Sequence, residues 1–330
     1  MGFLFQTRLV NDPFSDPGLF IDFRFGRRAM LFDLGDLGPL SAREILRVGH
    51  VFVTHRHMDH FAGFDRLLRL GLYRPGVVGM VGPEGFIEGV RAKLAAYSWN
   101  LLDESSPDFT IAAAEFAGGR LGAPVLFRAT EKFAGRQGEG ADLPDGIVLR
   151  EEFCQIEAVV LDHGTPCLAF AVQESLRVNV LREGLDALGL PVGPWLNEAK
   201  SAVRRGAPDD QLVPAPGAPG LALGVLKRHA LRVAQGRRVA YAVDAAFTPD
   251  NAERIRALCA GADHLYIEAA FSDADFDLAA RRRHLTAGQA GRIAREAGAR
   301  RLTVLHHSPR YLGQAQRLRE EAMRAFRGAD

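Results

Sequence analysis

Val51-Phe52-Val53-Thr54-His55-Arg56-His57-Met58-Asp59-His60 runs from a short apolar, β-branched stretch straight into three histidines and an aspartate. The first four residues read as a buried strand, and the residues after His60 read as a helix. A loop at the C-terminal end of a strand is where α/β folds place their chemistry. Imidazole suits zinc, and a carboxylate adds negative charge and a second kind of ligand. The i, i+2 spacing of His55 and His57 can aim both at one ion, with Asp59 and His60 reaching a second. A chance histidine-rich turn is the weaker reading, because the chain has ten histidines in all and three fall within these six residues.

Three more positions repeat the pattern of a ligand-type residue just after an apolar run. His163 follows Ala158-Val159-Val160-Leu161-Asp162, Asp244 follows Val239-Ala240-Tyr241-Ala242-Val243, and His306 follows Leu302-Thr303-Val304-Leu305. Each alone is better read as a hydrogen-bonded structural residue. Together they describe ligands converging from several strand ends on one rim, as a binuclear site requires.

Composition bounds the partners. The 330 residues carry 41 Lys and Arg against 40 Asp and Glu, a net charge of +1, so no global field points to nucleic acid or membrane. Lysine is confined to Lys93, Lys132, Lys200 and Lys227, so the positive charge is almost all arginine; codon bias is the stronger reading of that, and bidentate phosphate contacts the weaker. Cys154, Cys167 and Cys259 form no CxxC pair and no disulfide framework, and are expected to be buried filler in a reducing compartment. No basic leader opens the chain at Met1 and no apolar stretch is long enough to span a bilayer, so a cytoplasmic location without a membrane partner is expected.

Strands are expected at residues 29–33, 51–54, 77–81, 239–243, 264–267 and 302–305, and helices at 86–97, 286–298 (with Thr286 as N-cap) and 313–326. Residues 103–174 read as short antiparallel strands with Gly/Pro turns. A single domain over 1–330 is expected, interrupted at 175–224. There, two charged helical segments flank Gly189-Leu190-Pro191-Val192-Gly193-Pro194, and a Pro/Gly-rich run at 213–224 reads as an extended loop rather than a core element.

These residues resemble the metallo-β-lactamase superfamily and, within it, the ribonuclease Z family of tRNA 3′-processing endonucleases. The resemblance is carried by Phe32-Asp33-Leu34-Gly35, by His55-Arg56-His57-Met58-Asp59-His60, by Val81-Gly82-Pro83-Glu84-Gly85 and by Asp162-His163-Gly164-Thr165-Pro166. It continues through Val243-Asp244, Ile267-Glu268-Ala269-Ala270-Phe271, His284-Leu285-Thr286 and His306-His307-Ser308-Pro309-Arg310-Tyr311. Departures from the family pattern are Phe3 to Leu9 at the start, the turn after Asp33, Met58 and Ile267.

The resemblance implies an αβ/βα four-layer sandwich with an inserted helical arm, and two zinc ions per chain, with manganese or another divalent ion as a substitute. It implies that His55, His57 and His163 hold one ion, that Asp59, His60 and His306 hold the other, and that Asp244 bridges them. Glu268 and His284 become the pair near the leaving oxygen, and Ser308 and Arg310 become substrate contacts. It further implies a homodimer, with the arm at 175–206 gripping the tRNA precursor; Arg177, Arg182, Lys200, Arg204 and Arg205 on the arm read as backbone contacts or, as charge runs usually are, a solvated helical face. Asp33 and Asp162 are read as supports for the site loops, with turn formation an equal reading for Asp162. His50, His229, His264 and His307 are given no role.

The expected chemistry is in-line attack on a phosphodiester by a two-metal activated hydroxide, removing 3′ trailers from tRNA precursors, with Asp59, Glu268 and His284 as catalytic groups. Two other readings stay open. One is a hydrolase of a small substrate, such as a cyclic or simple phosphodiester, a lactam or a lactone. The other is a metal-containing protein that binds RNA or a partner without turnover.

Overall fold

The structure is a computed structural model that describes residues 4–24 and 27–329. Met1 to Phe3, on which the reading of the N-terminus partly rests, lie outside the described residues. The chain divides into two compact units, one of residues 1–149, 156–171 and 238–330, the other of residues 150–155 and 172–237.

The first unit is built on two sheets. One runs in the order Phe5–Leu9, Leu19–Phe23, Ala29–Phe32, Val48–Phe52, Gly76–Pro83, Phe109–Ala117, Val125–Arg128 and Arg136–Gln137, with Arg120–Leu121 also on Phe109–Ala117. Its four central strands, from Ala29–Phe32 to Phe109–Ala117, are parallel. The other runs Ile147–Arg150, Cys154–Asp162, Pro166–Glu174, Arg238–Ala242, His264–Glu268 and Leu302–Leu305, the last three parallel. Aromatic rings from both sheets interlock between them. Phe32 and Phe52 stack at 5.0 Å, Phe170 lies 5.5 and 5.6 Å from these two, and Tyr241 lies 6.0 Å from Phe32.

Helices cover the outer faces because their apolar residues recur on one side. Phe64, Leu67 and Leu68 of Phe64–Gly71, and Phe86, Val90 and Leu94 of Phe86–Ala95, are buried with the first sheet. Ile255, Ile293 and Leu318, from Pro249–Cys259, Ala287–Glu296 and Ala315–Arg327, are buried with Leu265, Ile267 and Val304 of the second. The result is the expected four layers. Thr286 caps Ala287–Glu296 in a reciprocal box with Gln289 and is fully buried. Thr286→Ala is expected to cost about 1 kcal/mol, read as a lower urea midpoint at unchanged slope. An unchanged midpoint would show that the cap adds nothing.

The region 103–174 departs in part from its expectation. It holds three nine-residue strands; Phe109–Ala117 does pair antiparallel with Arg120–Leu121 and Val125–Arg128, and the latter with Arg136–Gln137, as expected, but its other edge pairs in parallel with Gly76–Pro83. Strand length and partner are tertiary properties that the local turn signals do not encode. The strands Phe5–Leu9 and Leu19–Phe23 were not expected at all.

The second unit has its own core of Val178, Leu185, Leu196, Val203, Val213, Leu223, Leu226 and Leu231. The two expected helical segments are Arg182–Ala187 and Leu196–Arg204. The run at 213–224 is not an extended loop. Leu212–Ala215 and Ala218–Ala222 form a hairpin, and Leu223 opens the helix Leu223–His229. Pro214 has no N–H for the ladder, and the register slips between Val213 and Ala215, so the prolines bend the hairpin without abolishing it. Two of the arm's cations serve this unit internally. Arg204 donates to the Leu176 carbonyl, lies 3.6 Å from Glu152 and covers the Phe153 ring, while Arg177 donates to Gln235.

Candidate metal centre

Strand register puts the site residues on one rim. Ala242, Ile267 and Val304 are in register, and two residues beyond Ala242 and Val304 stand Asp244 and His306, with Glu268 between them. Phe32 pairs with Phe52, and the chain leaves these strands through Asp33 and through Val53 to His55. Asp33, Asp244 and His306 all adopt left-handed backbone, with φ of 59°, 58° and 58°. Such non-glycine conformations cluster where a site imposes them.

Asp33 is the hub beneath the rim. Its Oδ1 accepts from Thr54 N at 2.7 Å and Thr54 Oγ1 at 2.9 Å, and its Oδ2 accepts from Tyr241 Oη at 3.0 Å and lies 2.9 Å from His60 Nδ1. It is completely buried. A proton on His60 Nδ1 shared with Asp33 leaves Nε2 pointing to the rim. His163 is oriented the same way, with Nδ1 donating to the Arg283 carbonyl at 2.8 Å. Orienting the far nitrogen is how proteins fix the tautomer of a ligating histidine.

Three groups of donor atoms result, each with all atoms within 4.8 Å of one another. They are His55, His57, His163 and Asp244; Asp59, His60 and His306; and Asp244, Glu268, His284 and His306. The first holds the ligands that the resemblance implies for one ion, and the second holds those implied for the other except the bridging Asp244. In the third, Glu268 already has both oxygens engaged, Oε1 by Ala245 N at 2.7 Å and Oε2 by His284 Nδ1 at 2.8 Å. It reads as a carboxylate that orients His284.

Asp244 Oδ2 lies 3.4, 3.3 and 3.6 Å from Nε2 of His55, His60 and His163, and Oδ1 lies 2.7 Å from His306 Nδ1. Yet among the described residues His55 Nε2, His60 Nε2, Asp244 Oδ1 and His306 Nδ1 are buried polar atoms without a hydrogen-bond partner. Buried polar groups are almost always paired, so four orphans facing one another call for a cation. The donor set of histidines and carboxylates suits a divalent ion of the zinc type, and the residues therefore fit divalent metal.

Charge follows geometry. Burial and the neighbouring His60 push His55 down to about 2. Burial also opposes charge on His60, but Asp33 and Asp244 outweigh it and lift that group to about 10. An ion bound at His60 Nε2 takes the place of a proton. Glu268 and Asp244 raise His284 against the effect of burial. Cys167 approaches His55 Nδ1 at 3.8 Å, burial drives its thiol far up, and it belongs to none of the three donor groups. All three cysteines are free and buried.

Asp59, His284, His306, Ser308, Arg282 and Arg310 line a cavity of about 520 Å³ beside this cluster. Arg310 pairs with Asp275 at 3.2 Å and is partly exposed. His307 points away, with Nδ1 on the Ala269 carbonyl at 2.8 Å. Met58 is 83% exposed on the ligand loop, and Ile267 is buried beneath Glu268.

Sequence reasoning missed Thr54, Tyr241 and Arg283. Thr54 adjoins His55 and Arg283 adjoins His284, but Tyr241 meets Asp33 across 208 positions with no local signal. Asp162 does both jobs expected of it, accepting from Gly164 N at 2.7 Å and pairing with Arg283 at 3.0 Å. Arg283 is itself left-handed at φ 60°, so Arg283→Gly keeps the backbone and removes the tie between the loops of His163 and His284. Stability is expected to change by less than about 1 kcal/mol, since the pair is exposed. Release of bound metal to a chelator is expected to quicken about tenfold. Unchanged release would mean that the residue-283 carbonyl alone holds His163.

Two sheets between helical layers, with histidines and aspartates gathered on one rim of strand ends, make this a protein of the metallo-β-lactamase fold. Solved structures agree. The metallo-β-lactamase fold protein YhfI from Bacillus subtilis matches with a TM-score of 0.55 at 17% identity, covering 97% of this chain and 92% of that one. Human tRNase Z, short form, matches at 0.52 and 19% identity, with 93% of each chain covered. No family model matches the chain. Ribonuclease Z of Deinococcus radiodurans is 32% identical over 317 residues, spanning 93% of this chain and 91% of that protein. The chain belongs to the ribonuclease Z family.

Proposed function

We propose that the protein is a metal-dependent endoribonuclease that removes 3′ trailers from tRNA precursors. The observation that carries this is the set of orphaned histidine and aspartate atoms converging from separate strand ends, in a chain of the ribonuclease Z family. His55, His57 and His163 would hold one zinc ion, Asp59, His60 and His306 the other, and Asp244 both. Divalent ions held there supply a nucleophile from water near neutral pH and offset charge on phosphate oxygens.

The chain's own groups do the rest. Glu268, fixed by Ala245 N, holds His284 by Nδ1. That leaves His284 Nε2 as the atom to give a proton to the departing 3′-oxygen, with Glu268 stabilising the charged ring. His284 lines the cavity beside Asp59 and His306, within reach of a phosphodiester seated there. Asp59, 3.2 Å from His306 Nε2, keeps that ring in place. Ser308 and Arg310 line the same cavity, where a hydroxyl and a guanidinium suit the flanking phosphates. Arg182 and Lys200 are the arm cations left to contact an RNA backbone, with Arg205, whose Nη1 donates to Ser201 Oγ at 2.7 Å, beside them.

The same reading takes the protein to be a cytoplasmic homodimer. The free, buried cysteines fit a reducing compartment, and no described helix is long and apolar enough to cross a membrane. The test is incubation of the zinc-loaded protein with a 3′-extended tRNA precursor and, in parallel, a simple phosphodiester. A cut beside the discriminator base is expected. Hydrolysis of the simple ester with an intact precursor would move the function to small substrates.

A further inference from the structure

A second cavity, of about 860 Å³, lies at the other ends of the strands that lead to the metal site. Val48 and Gly49 open the strand whose far end leads to His55, Gly76 to Val78 open the next, and Phe109 opens the one after. A five-residue strand spans roughly 17 Å, so this cavity is separate from the metal centre.

Its lining holds five arginines, Arg24, Arg27, Arg43, Arg47 and Arg74, and no carboxylate. In a chain with 41 basic and 40 acidic residues, that is a marked local imbalance. Arg47 alone is paired, with Asp22, and its buried Nε has no partner. The guanidinium groups of Arg24, Arg27, Arg43 and Arg74 have no hydrogen bond or ion pair among the described residues. Like charges gathered along one low-dielectric wall repel one another and focus a positive potential that an anion relieves. Guanidinium forks match phosphate oxygens two at a time. One phosphate would leave most of these groups unmet, whereas several linked phosphates would engage them. The volume falls in the range of sites for whole small molecules. Val77, 62% exposed, and the exposed Pro75 supply an apolar surface beside the charges.

We propose that this arginine-lined cleft binds a small polyanion with linked phosphates and an apolar face, the chemistry of a nucleoside polyphosphate. The ligand would sit at the opposite end of the sheet from the metal centre and leave the cavity beside His284 free for substrate.

The test is calorimetric titration of the metal-loaded protein at low salt with adenosine triphosphate, orthophosphate and adenosine as probes. It is repeated on the Arg43→Gln/Arg74→Gln double variant, whose altered side chains are exposed and distant from the metal ligands. Any binding at the metal site is common to both proteins, so their difference reports the cleft. Adenosine triphosphate is expected to bind the unaltered protein more tightly than either other probe, and about tenfold or more weakly to the variant. Phosphodiesterase activity and thermal midpoint in the variant should be unchanged. Equal affinity for adenosine triphosphate in both proteins overturns the proposal. So does a variant that loses affinity for an RNA oligonucleotide alone, which would make the cleft an RNA backbone contact.

Discussion

Replacing Asp244 by Asn is expected to lower turnover by about a thousandfold or more and to lower the metal content. The carboxylate is 2% exposed, Oδ2 sits within 3.6 Å of three imidazole nitrogens, and Oδ1 lies 2.7 Å from a fourth. It belongs to the donor set of His55, His57 and His163, its other oxygen faces His306 of the second set, and it is the group proposed to serve both ions. The amide keeps the shape and one oxygen but loses the charge and the other acceptor, so it is a poor ligand to serve both proposed ions at once. Metal ions contribute several kcal/mol to such reactions, and each 1.4 kcal/mol is a tenfold change in rate, which sets the expected loss. The check is kcat together with metal content by atomic emission. A variant with full metal and near-normal turnover would remove Asp244 from the centre.

His284→Ala is expected to separate chemistry from metal binding. Its Nδ1 is taken by Glu268, and it belongs to neither of the two donor sets assigned to the ions. Metal content should stay at its original level while kcat falls by ~10²–10⁴, the range of general acid catalysis, with KM little changed. Glu268→Gln should follow it with a smaller loss, because the amide still accepts from Ala245 or His284 but no longer stabilises a charged ring. Loss of metal in His284→Ala would instead make the group of Asp244, Glu268, His284 and His306 a real ion site.

Much of the site could be read in the chain because its ligands are local punctuation. His55, His57, Asp59 and His60 share one loop, and His163, Asp244 and His306 each follow a short apolar run, so strand period and ligand chemistry signal the same positions. What could not be read depends on distant partners. Nothing near Tyr241 says that its hydroxyl reaches Asp33, and nothing near Arg283 says that it ties down Asp162 and His163. The same holds for the fold. The parallel strands bounded by turn residues were legible, whereas the parallel partner of Phe109–Ala117 was not, since pairing direction is set by the sheet as a whole. The hairpin at 212–222 was hidden by its prolines and glycines, whose composition matches a loop, while the buried Val213 that anchors it is a single residue. The cation-rich arm shows a further limit. Charge along a helix is visible in sequence, but the internal use of Arg204 and Arg177 is not.

The most direct test of the two-metal centre is anomalous diffraction at the zinc edge from crystals of the zinc-loaded protein. Two peaks are expected, one enclosed by His55, His57, His163 and Asp244, the other by Asp59, His60, His306 and Asp244. A single peak, or one bounded by Glu268 and His284, would contradict the assignment and with it the roles given to both residues.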